Sequence, residues 1–525
     1  MAIVQLARNA VVAKLINPTR EVASFVTSLL SYEVESNGIG WSGKSSFFDV
    51  NTNTFPAGFF YLVQQELTQI GHTVQPIARP HFEPLGPENP IVDEFGNDNP
   101  NYDYQMKALR QVEKHGAGII RVATGGGKSK IAKLIMARYR RMTLFLTTRG
   151  ILLYQMDDQL KDIGLNTGQV GDGELRFVRG INLGMVQTLV QALEVPDMPK
   201  EIRAVVKSIN LSKNKNPDMP RDQILALAKE KFDAKTRRRE AIIKFLSLIE
   251  VVIGEEAHEA GGTSYYEILR HCKNASIRVA LTATPFMKDS AADNMRLMAA
   301  FGPVLIDIPE SLLIERGILA KPYFKFVDCK PPLVLRKSSP FERAYTLGYI
   351  DNNFMLEDML FDAHNAAERD LPILTLIARK KHGDNVLSFY REHDLRFEFL
   401  KGEDDQKARR AQLDRMVEGK LNGIIGTTIL DVGVDVPAIG LVQLAGGMKA
   451  EVSLRQRVGR GLRAKKSGPN IACIADYSVN LNNTLRDHAR QRYNIIQRTP
   501  GFVEGILPEG RDFPWHEFDA YKAAA

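Results

Sequence analysis

Two successive series of short, nearly continuous apolar runs, each run followed by an amphipathic stretch, constrain this chain more than any other feature. The first series starts after about Asn99 and reads GIIRVAT, MTLFLTT, INLGMV, EVVIGEE and IRVALTAT. The second starts near Pro322 and reads LPILTLIA, LRFEFLKG, NGIIGTT, LVQLAG and NIACIAD. Each run is strand-length and lacks the apolar/polar alternation of a half-exposed strand, so both faces of each strand are expected to be buried. Helices between such strands cover both faces of a parallel sheet. The expected fold class is therefore α/β, with two tandem parallel-sheet domains.

The remaining sequence divides around that frame. Residues 1–85 carry short strand patterns, an Asn/Thr turn at Asn51 to Asn53 and a helix, and read as a small α+β domain. The stretch PIARPHFEPLGPENP, Pro76 to Pro90, reads as a linker. The first sheet domain covers 95–315, with a basic helical insertion at about 192–249. The second covers 320–480, and 481–525 form a helical tail. The net charge of +7 is uneven: between Pro196 and Lys244 there are 13 Lys/Arg against 7 Asp/Glu. Such a segment is suited to a polyanion and equally to a solvated helical face. Three widely spaced cysteines, Cys272, Cys329 and Cys473, suggest neither a disulfide framework nor a zinc site. No apolar run approaches the roughly 20 residues of a membrane span. A reducing, cytoplasmic location without membrane contact is expected.

The stretch VATGGGKSKIA, Val122 to Ala132, joins the first strand of the series to a helix. Read alone it is a plain glycine turn or a phosphate cradle. Thr124, Gly125, Gly126 and Gly127 would let backbone N–H groups turn toward phosphate oxygens, and the helix N-terminus adds its positive dipole end. Lys128 would reach the β- and γ-phosphates and Ser129 would hold Mg2+. The strict phosphate-loop pattern has glycine where this chain has Val122. Downstream, VVIGEEAHEAGG places Glu255 and Glu256 at a strand end. Glu255 is a candidate metal carboxylate through water, and Glu256 a candidate base for an attacking water.

TGGGKS, GEEAH, LTATP, TTILDVGVDVP and QRVGRGLR follow one another in the order found in superfamily 2 helicases and translocases, and the chain resembles that family. The resemblance implies two RecA-like domains with ATP and Mg2+ as cofactors. Gln105, in NYDYQMKAL, resembles the glutamine that reads adenine. Glu255 departs from the family's aspartate, while Glu256 and His258 match. Thr282-Ala283-Thr284 resembles the element that couples nucleotide state to domain motion. In the second domain, Gln456, Arg457, Arg460 and Arg463 resemble the arginine-finger segment, and Gly433 and Asp435 a nucleotide-sensing element. Thr147, Thr148 and Arg149, Gln187 and Thr188, and Thr427 and Thr428 resemble phosphate-backbone contacts; Arg379 and His382 resemble a further one.

WSGKSSFFDVNTNTFPAGF resembles the small N-terminal domain of phage recombination helicases of the UvsW kind, including those of T5-like phages; the late helix Thr484 to Gln497 resembles a segment of the same proteins. In that module Trp41, Lys44 and Phe55 are candidate contacts or core. The implied activity is ATP-dependent unwinding and branch migration of DNA. The implied partners are single-stranded, forked or four-way-junction DNA and phage recombination or replication proteins. An RNA helicase, a restriction-type duplex translocase, and a non-catalytic DNA-binding module with a decayed ATP site are the alternatives.

Overall fold

The computed structural model describes the chain except residues 1–2, 35–42, 79, 172, 212–218, 259–260, 287–290, 402–403, 405, 428–438, 448–457, 460–461, 466–467 and 525. By packing it divides into two units, residues 1–121 with 128–307, and residues 122–127 with 308–525.

The first unit opens with six short strands: β1 (Ile3–Arg8), β2 (Val12–Ile16), β3 (Ser31–Val34), β4 (Gly43–Ser46), β5 (Thr54–Pro56) and β6 (Thr73–Ala78). A four-stranded sheet has the order β5-β2-β1-β6, and β3 pairs with β4. Alternation sets the faces: Val4 and Leu6, Ala13 and Leu15 point into a core shared with Phe55, Phe59 and Val63. Phe55 is thus core. This module sits on the helix Ala291–Phe301, and a Cβ on Gly58 would fall 2.1 Å from the carbonyl oxygen of Met298.

The expected linker is corrected here. Pro76 lies inside β6, an edge strand parallel to β1, where its missing N–H costs no central ladder bond. The chain beyond is tied down. Arg141 donates to the carbonyl of Glu83, Arg138 to that of Gly86 and Arg110 to that of Glu88. Proline density signalled irregular backbone, but three arginines satisfy that backbone on a packed surface.

The eight strands that follow are β7 (Ala117–Val122), β8 (Thr143–Thr147), β9 (Gly168–Gly171), β10 (Glu174–Arg176), β11 (Ile181–Met185), β12 (Val251–Glu255), β13 (Ile277–Thr282) and β14 (Val304–Ile308). Their sheet order is β10-β9-β11-β8-β12-β13-β7-β14, parallel from β9 through β7. The five apolar runs of the first series are β7, β8, β11, β12 and β13. β9, β10 and β14 sit toward the sheet edges, where the apolar signal is weaker. The basic insertion contains two helices, Met198–Leu211 and Arg221–Leu248. Ile242, Phe245 and Leu246 anchor the second one in the core, and the Phe245 ring stacks on Phe177 at 4.1 Å.

The second unit holds β15 (Lys321–Asp328), β16 (Ile373–Leu376), β17 (Phe397–Leu400), β18 (Gly423–Gly426), β19 (Leu441–Leu444) and β20 (Ile471–Ser478). They form an all-parallel sheet of order β15-β20-β19-β16-β18-β17. The tail belongs to this core: Phe513, Trp515 and Phe518 pack into it. On the helix Asn483–Gln497, buried Arg492 pairs with buried Asp476, Nη2 to Oδ1, at 2.6 Å. The architecture is two RecA-like parallel-sheet domains carrying a small N-terminal α+β module. Among the described residues no helix is long and apolar enough to cross a membrane.

Candidate active site

Open parallel sheets bind ligands beyond the carboxyl ends of their strands, and the candidate residues of the first unit gather there. After β7 the chain turns through Gly125 (φ +88°) and Gly127 (φ +83°), both in the left-handed region that favours glycine. A Cβ on Gly126 would lie 2.6 Å from Cγ1 of Val122. The helix Lys128–Tyr139 starts immediately, so Lys128 and Ser129 occupy its first turn, where backbone N–H groups have no intrahelical acceptor. This turn can cradle phosphate, and the glycines are required by the backbone whether or not phosphate is bound.

At the end of β12, Glu255 is buried and its backbone carbonyl accepts a hydrogen bond from the Tyr265 hydroxyl at 3.0 Å. Glu256 follows at φ +45°, a conformation L-residues seldom adopt. Lys128 Nζ lies 2.9 Å from Glu256 Oε1, and His258 Nδ1 lies 3.4 Å from Oε2. Glu256 Oε2 is buried without a hydrogen-bond partner among the described residues. Burial pushes the Glu256 carboxyl upward, but Lys128 foremost, then His258 and Arg149, outweigh it and hold the group below the usual carboxylate range. It is therefore ionised at neutral pH, as a proton acceptor must be.

His258 also reaches the next strand: its Nδ1 is 2.6 Å from Thr282 Oγ1 at the end of β13. The same hydroxyl accepts from the backbone N–H of Thr284 at 3.2 Å. One side chain thus touches both the carboxylate and the threonine turn. Thr284 Oγ1 is itself buried without a partner among the described residues.

Gln105 lies on the helix Asp103–His115, 4% exposed, and lines a cavity of about 340 Å3. Phe95, Asn97, Tyr102 and Lys130 share that lining. Lys130, on the same helix as Lys128, bonds to Asp93 Oδ1 at 3.0 Å and to the Gly96 carbonyl at 2.6 Å. Of these lining residues only Gln105 belongs to a motif visible in the sequence. The run FGNDNPNY, dense in turn formers with two aromatics just upstream, was the available signal.

Register brings the first-unit backbone-contact candidates to the same sheet edge. Met185 of β11 pairs with Thr147 of β8, so Thr148 and Arg149 emerge beside the helix Val186–Leu193 that carries Thr188. Thr147 is fully buried and its Oγ1 caps the N–H of Arg149. In the second unit, β16 and β18 are neighbours, which puts Arg379 and Thr427 just beyond adjacent strand ends. Arg379 pairs with Glu342 at 2.9 Å. His382 departs from expectation. It is fully buried, neither ring nitrogen has a hydrogen-bond partner among the described residues, and burial lowers its pKa to about 4. It is a neutral core residue, because it faces inward on the helix Lys380–Glu392. Arg463 is exposed and its backbone bridges to Leu319. Trp41, Thr428, Gly433, Asp435, Gln456, Arg457 and Arg460 lie outside the described residues.

The chain belongs to the superfamily 2 helicases, enzymes that hydrolyse ATP. Residues 100–287 match the family described as type III restriction enzyme, res subunit, and residues 355–465 match the helicase conserved C-terminal domain. Among relatives, helicase 22 of Sulfolobus islandicus filamentous virus is 21% identical over 417 residues, 75% of this chain and 68% of that one. Among solved structures, UvsW of bacteriophage T4 is 15% identical with a TM-score of 0.42, covering 96% of this chain and 98% of that chain. The helicase MrfA bound to DNA is 13% identical with a TM-score of 0.51, covering 80% of this chain and 53% of that chain. Bacterial UvrABC system protein B relatives are matched over 23% of their own length.

Proposed function

We propose that this helicase remodels branched DNA, unwinding forks and migrating four-way junctions in the manner of phage recombination and repair motors. Its ATP-driven motor is carried by the Lys128–Glu256–His258–Thr282 chain of contacts, which links the phosphate cradle to the threonine turn across three strand ends, and the choice of branched DNA follows the N-terminal module's resemblance. The cradle fits a nucleotide: two glycines at positive φ open it, and a lysine and a serine head the helix behind it. Lys128 and the first-turn amides would hold the terminal phosphates of ATP, and Ser129 with Glu255 would hold Mg2+. Bound MgATP supplies the free energy of phosphoryl transfer. Glu256 accepts the proton of the attacking water, and Gln105 orients the base in its cavity. Arg460 and Arg463 would neutralise developing charge.

Thr148, Arg149, Thr188, Arg379, Thr427 and Thr428 would grip the sugar-phosphate backbone. Hydroxyls and guanidiniums there position a strand without reading its bases, which suits a motor that steps along any sequence. The test compares ATPase activity with no nucleic acid, forked DNA, a four-way DNA junction and an RNA duplex, with strand displacement read on gels. The reading expects stimulation by DNA, most by branched DNA, and loss of both activities in Lys128→Ala. Stimulation by RNA alone, or by linear duplex with no strand displacement, would replace it with the RNA-helicase or translocase alternative.

A further inference from the structure

A second cavity lies at the opposite end of the first-unit sheet. It has a volume of about 180 Å3 and borders Ala117 and Arg278, at the amino ends of β7 and β13. Arg278 stands four residues before Thr282 on β13, so at ~3.3 Å each the near wall of the cavity is about 13 Å from Thr282 and the carboxyl-end site. Its polar wall comes from the end of β1 and the turn after it with Arg8 and Asn9, the stretch after β6 with His81, and the turn Lys273 to Ser276 that leads into β13, while Gly58 and Phe301 are among the residues that close the rest. The N-terminal module and the first helicase domain therefore each contribute part of its wall.

The charge of this wall is one-sided. Arg8, His81, Lys273 and Arg278 line it, and no aspartate or glutamate does. Among the described residues none of these four makes an ion pair with a carboxylate. Arg278 is 5% exposed and donates to three backbone carbonyls, those of Ala275, Leu269 and Cys272, at 2.9, 3.2 and 2.8 Å. Carbonyl dipoles orient the guanidinium without neutralising it. Burial draws its pKa down to about 10. Arg8 Cζ lies over the rings of Phe60 and Tyr61, 4.7 and 4.8 Å from their centroids, and the guanidinium donates to the Tyr61 hydroxyl and to His81 Nε2. His81 is lowered first by burial and then by Arg8, so it serves here as a neutral acceptor. A cation as buried as Arg278 is ordinarily paired, because desolvating one without a counter-charge is costly; Arg8 is half-buried and Lys273 exposed. A wall of two fixed guanidiniums and an ammonium with no acid is the electrostatic complement of an oxyanion, and the arginine fork matches phosphate geometry.

We propose that this cavity binds a phosphate group, bridging the N-terminal module to the first helicase domain at a site remote from the nucleotide. The phosphate is either a nucleic-acid phosphodiester or a free phosphate. The proposal does not depend on the activity assigned above, and its test is run on the full chain without ATP. Melting temperature is followed as inorganic phosphate is titrated against sodium chloride at matched ionic strength. The wild type should show a saturable rise of about 2 °C at tenfold excess over Kd. General salt effects do not saturate and are common to all variants. Lys273→Glu, on an exposed turn, and Arg8→Gln should each abolish the rise.

In parallel, forked-DNA affinity is measured against salt concentration by fluorescence anisotropy. A slope of log K against log salt that falls by about one in Lys273→Glu identifies a phosphodiester as the ligand. An unchanged slope with a lost phosphate rise identifies a free phosphate. If the rise is absent from the wild type, or persists at wild-type size in both variants, and the slope is unchanged, the site does not exist. Should Arg8→Gln fail to fold for want of its ring contacts, Lys273→Glu still decides the outcome.

Discussion

Lys128 Nζ sits 2.9 Å from Glu256 Oε1, and neither side chain is more than 13% exposed. The contact joins the first residue of the helix after the glycine turn to the residue after β12, so it fixes the cradle against the acidic strand end. Lys128→Ala removes the main counter-charge of a buried carboxylate. Unfolding free energy should fall by about 2 to 3 kcal/mol, a little under the usual cost of splitting a buried pair because some exposure remains. ATPase activity should fall about 10²-fold or more. The double variant Lys128→Met with Glu256→Gln should recover most of the stability and none of the activity. Chemical denaturation and steady-state ATPase assays separate the two effects, and equal losses of stability in the single and double variants would contradict the pairing.

The same pair gives a pH dependence. The Glu256 carboxyl is held below its ordinary value of 4.5, so its folded form binds a proton less readily than the unfolded chain does. Its contribution to stability is fully present above pH about 4.5 and is lost as pH falls below that through the folded-state value. Other carboxylates titrate nearby, so the informative quantity is a difference. The gap in unfolding free energy between wild type and Glu256→Gln should be flat from pH 5 to 7 and shrink on acidification below 4.5. A gap that widens on acidification would mean that the carboxyl is raised.

Both sheets were legible because central parallel strands have no solvent face: all five residues of β8 and all eight of β20 are buried, and apolar residues dominate them, with Thr143, Thr147, Asp476 and Ser478 the buried polar exceptions. The cradle was legible because left-handed backbone at Gly125 and Gly127 demands glycine. What pairing does was not legible. Nothing in local sequence says that Lys128 meets Glu256, or that His258 meets Thr282, since sheet order rather than chain distance makes those contacts. Pro76 and its neighbours read as linker because proline marks irregular backbone, while the arginines that bind it down come from far along the chain. His382 stands beside exposed Arg379 to Lys381 in sequence but faces the core, a distinction that depends on helix phase.

Thr282 Oγ1 serves two partners, His258 Nδ1 at 2.6 Å and the Thr284 N–H at 3.2 Å. Thr282→Val keeps shape and removes both bonds, leaving a buried donor unsatisfied at a cost of about 1 to 3 kcal/mol. The substitution touches neither the cradle nor the Glu256 carboxylate, so ATPase activity should stay within about threefold of wild type. Strand displacement on forked DNA should fall more than tenfold, because the threonine turn no longer follows the acidic strand end. Thr282→Ser, which restores the hydroxyl, should rescue displacement. If Thr282→Val lowers ATPase activity and displacement in equal proportion, the bond supports the site's structure and does not couple it to motion.

Gln105 projects into the cavity of about 340 Å3 bordered by Phe95 and Tyr102, on the helix that packs beside the one headed by Lys128. An amide offers a donor and an acceptor together, which is the pattern the edge of adenine requires, and the aromatic rings supply apolar walls for a planar base. Gln105→Ala should raise KM for ATP by tenfold or more with little change in kcat, since the lost contacts are made equally in ground and transition states. Discrimination against GTP should fall, because a site that bonds a purine edge rejects the wrong edge by leaving buried groups unpaired. Phe95→Ala should raise KM for both nucleotides alike. Steady-state kinetics with ATP and GTP for the three proteins tests this assignment, and a Gln105→Ala enzyme with unchanged KM and unchanged preference would remove the base from this cavity.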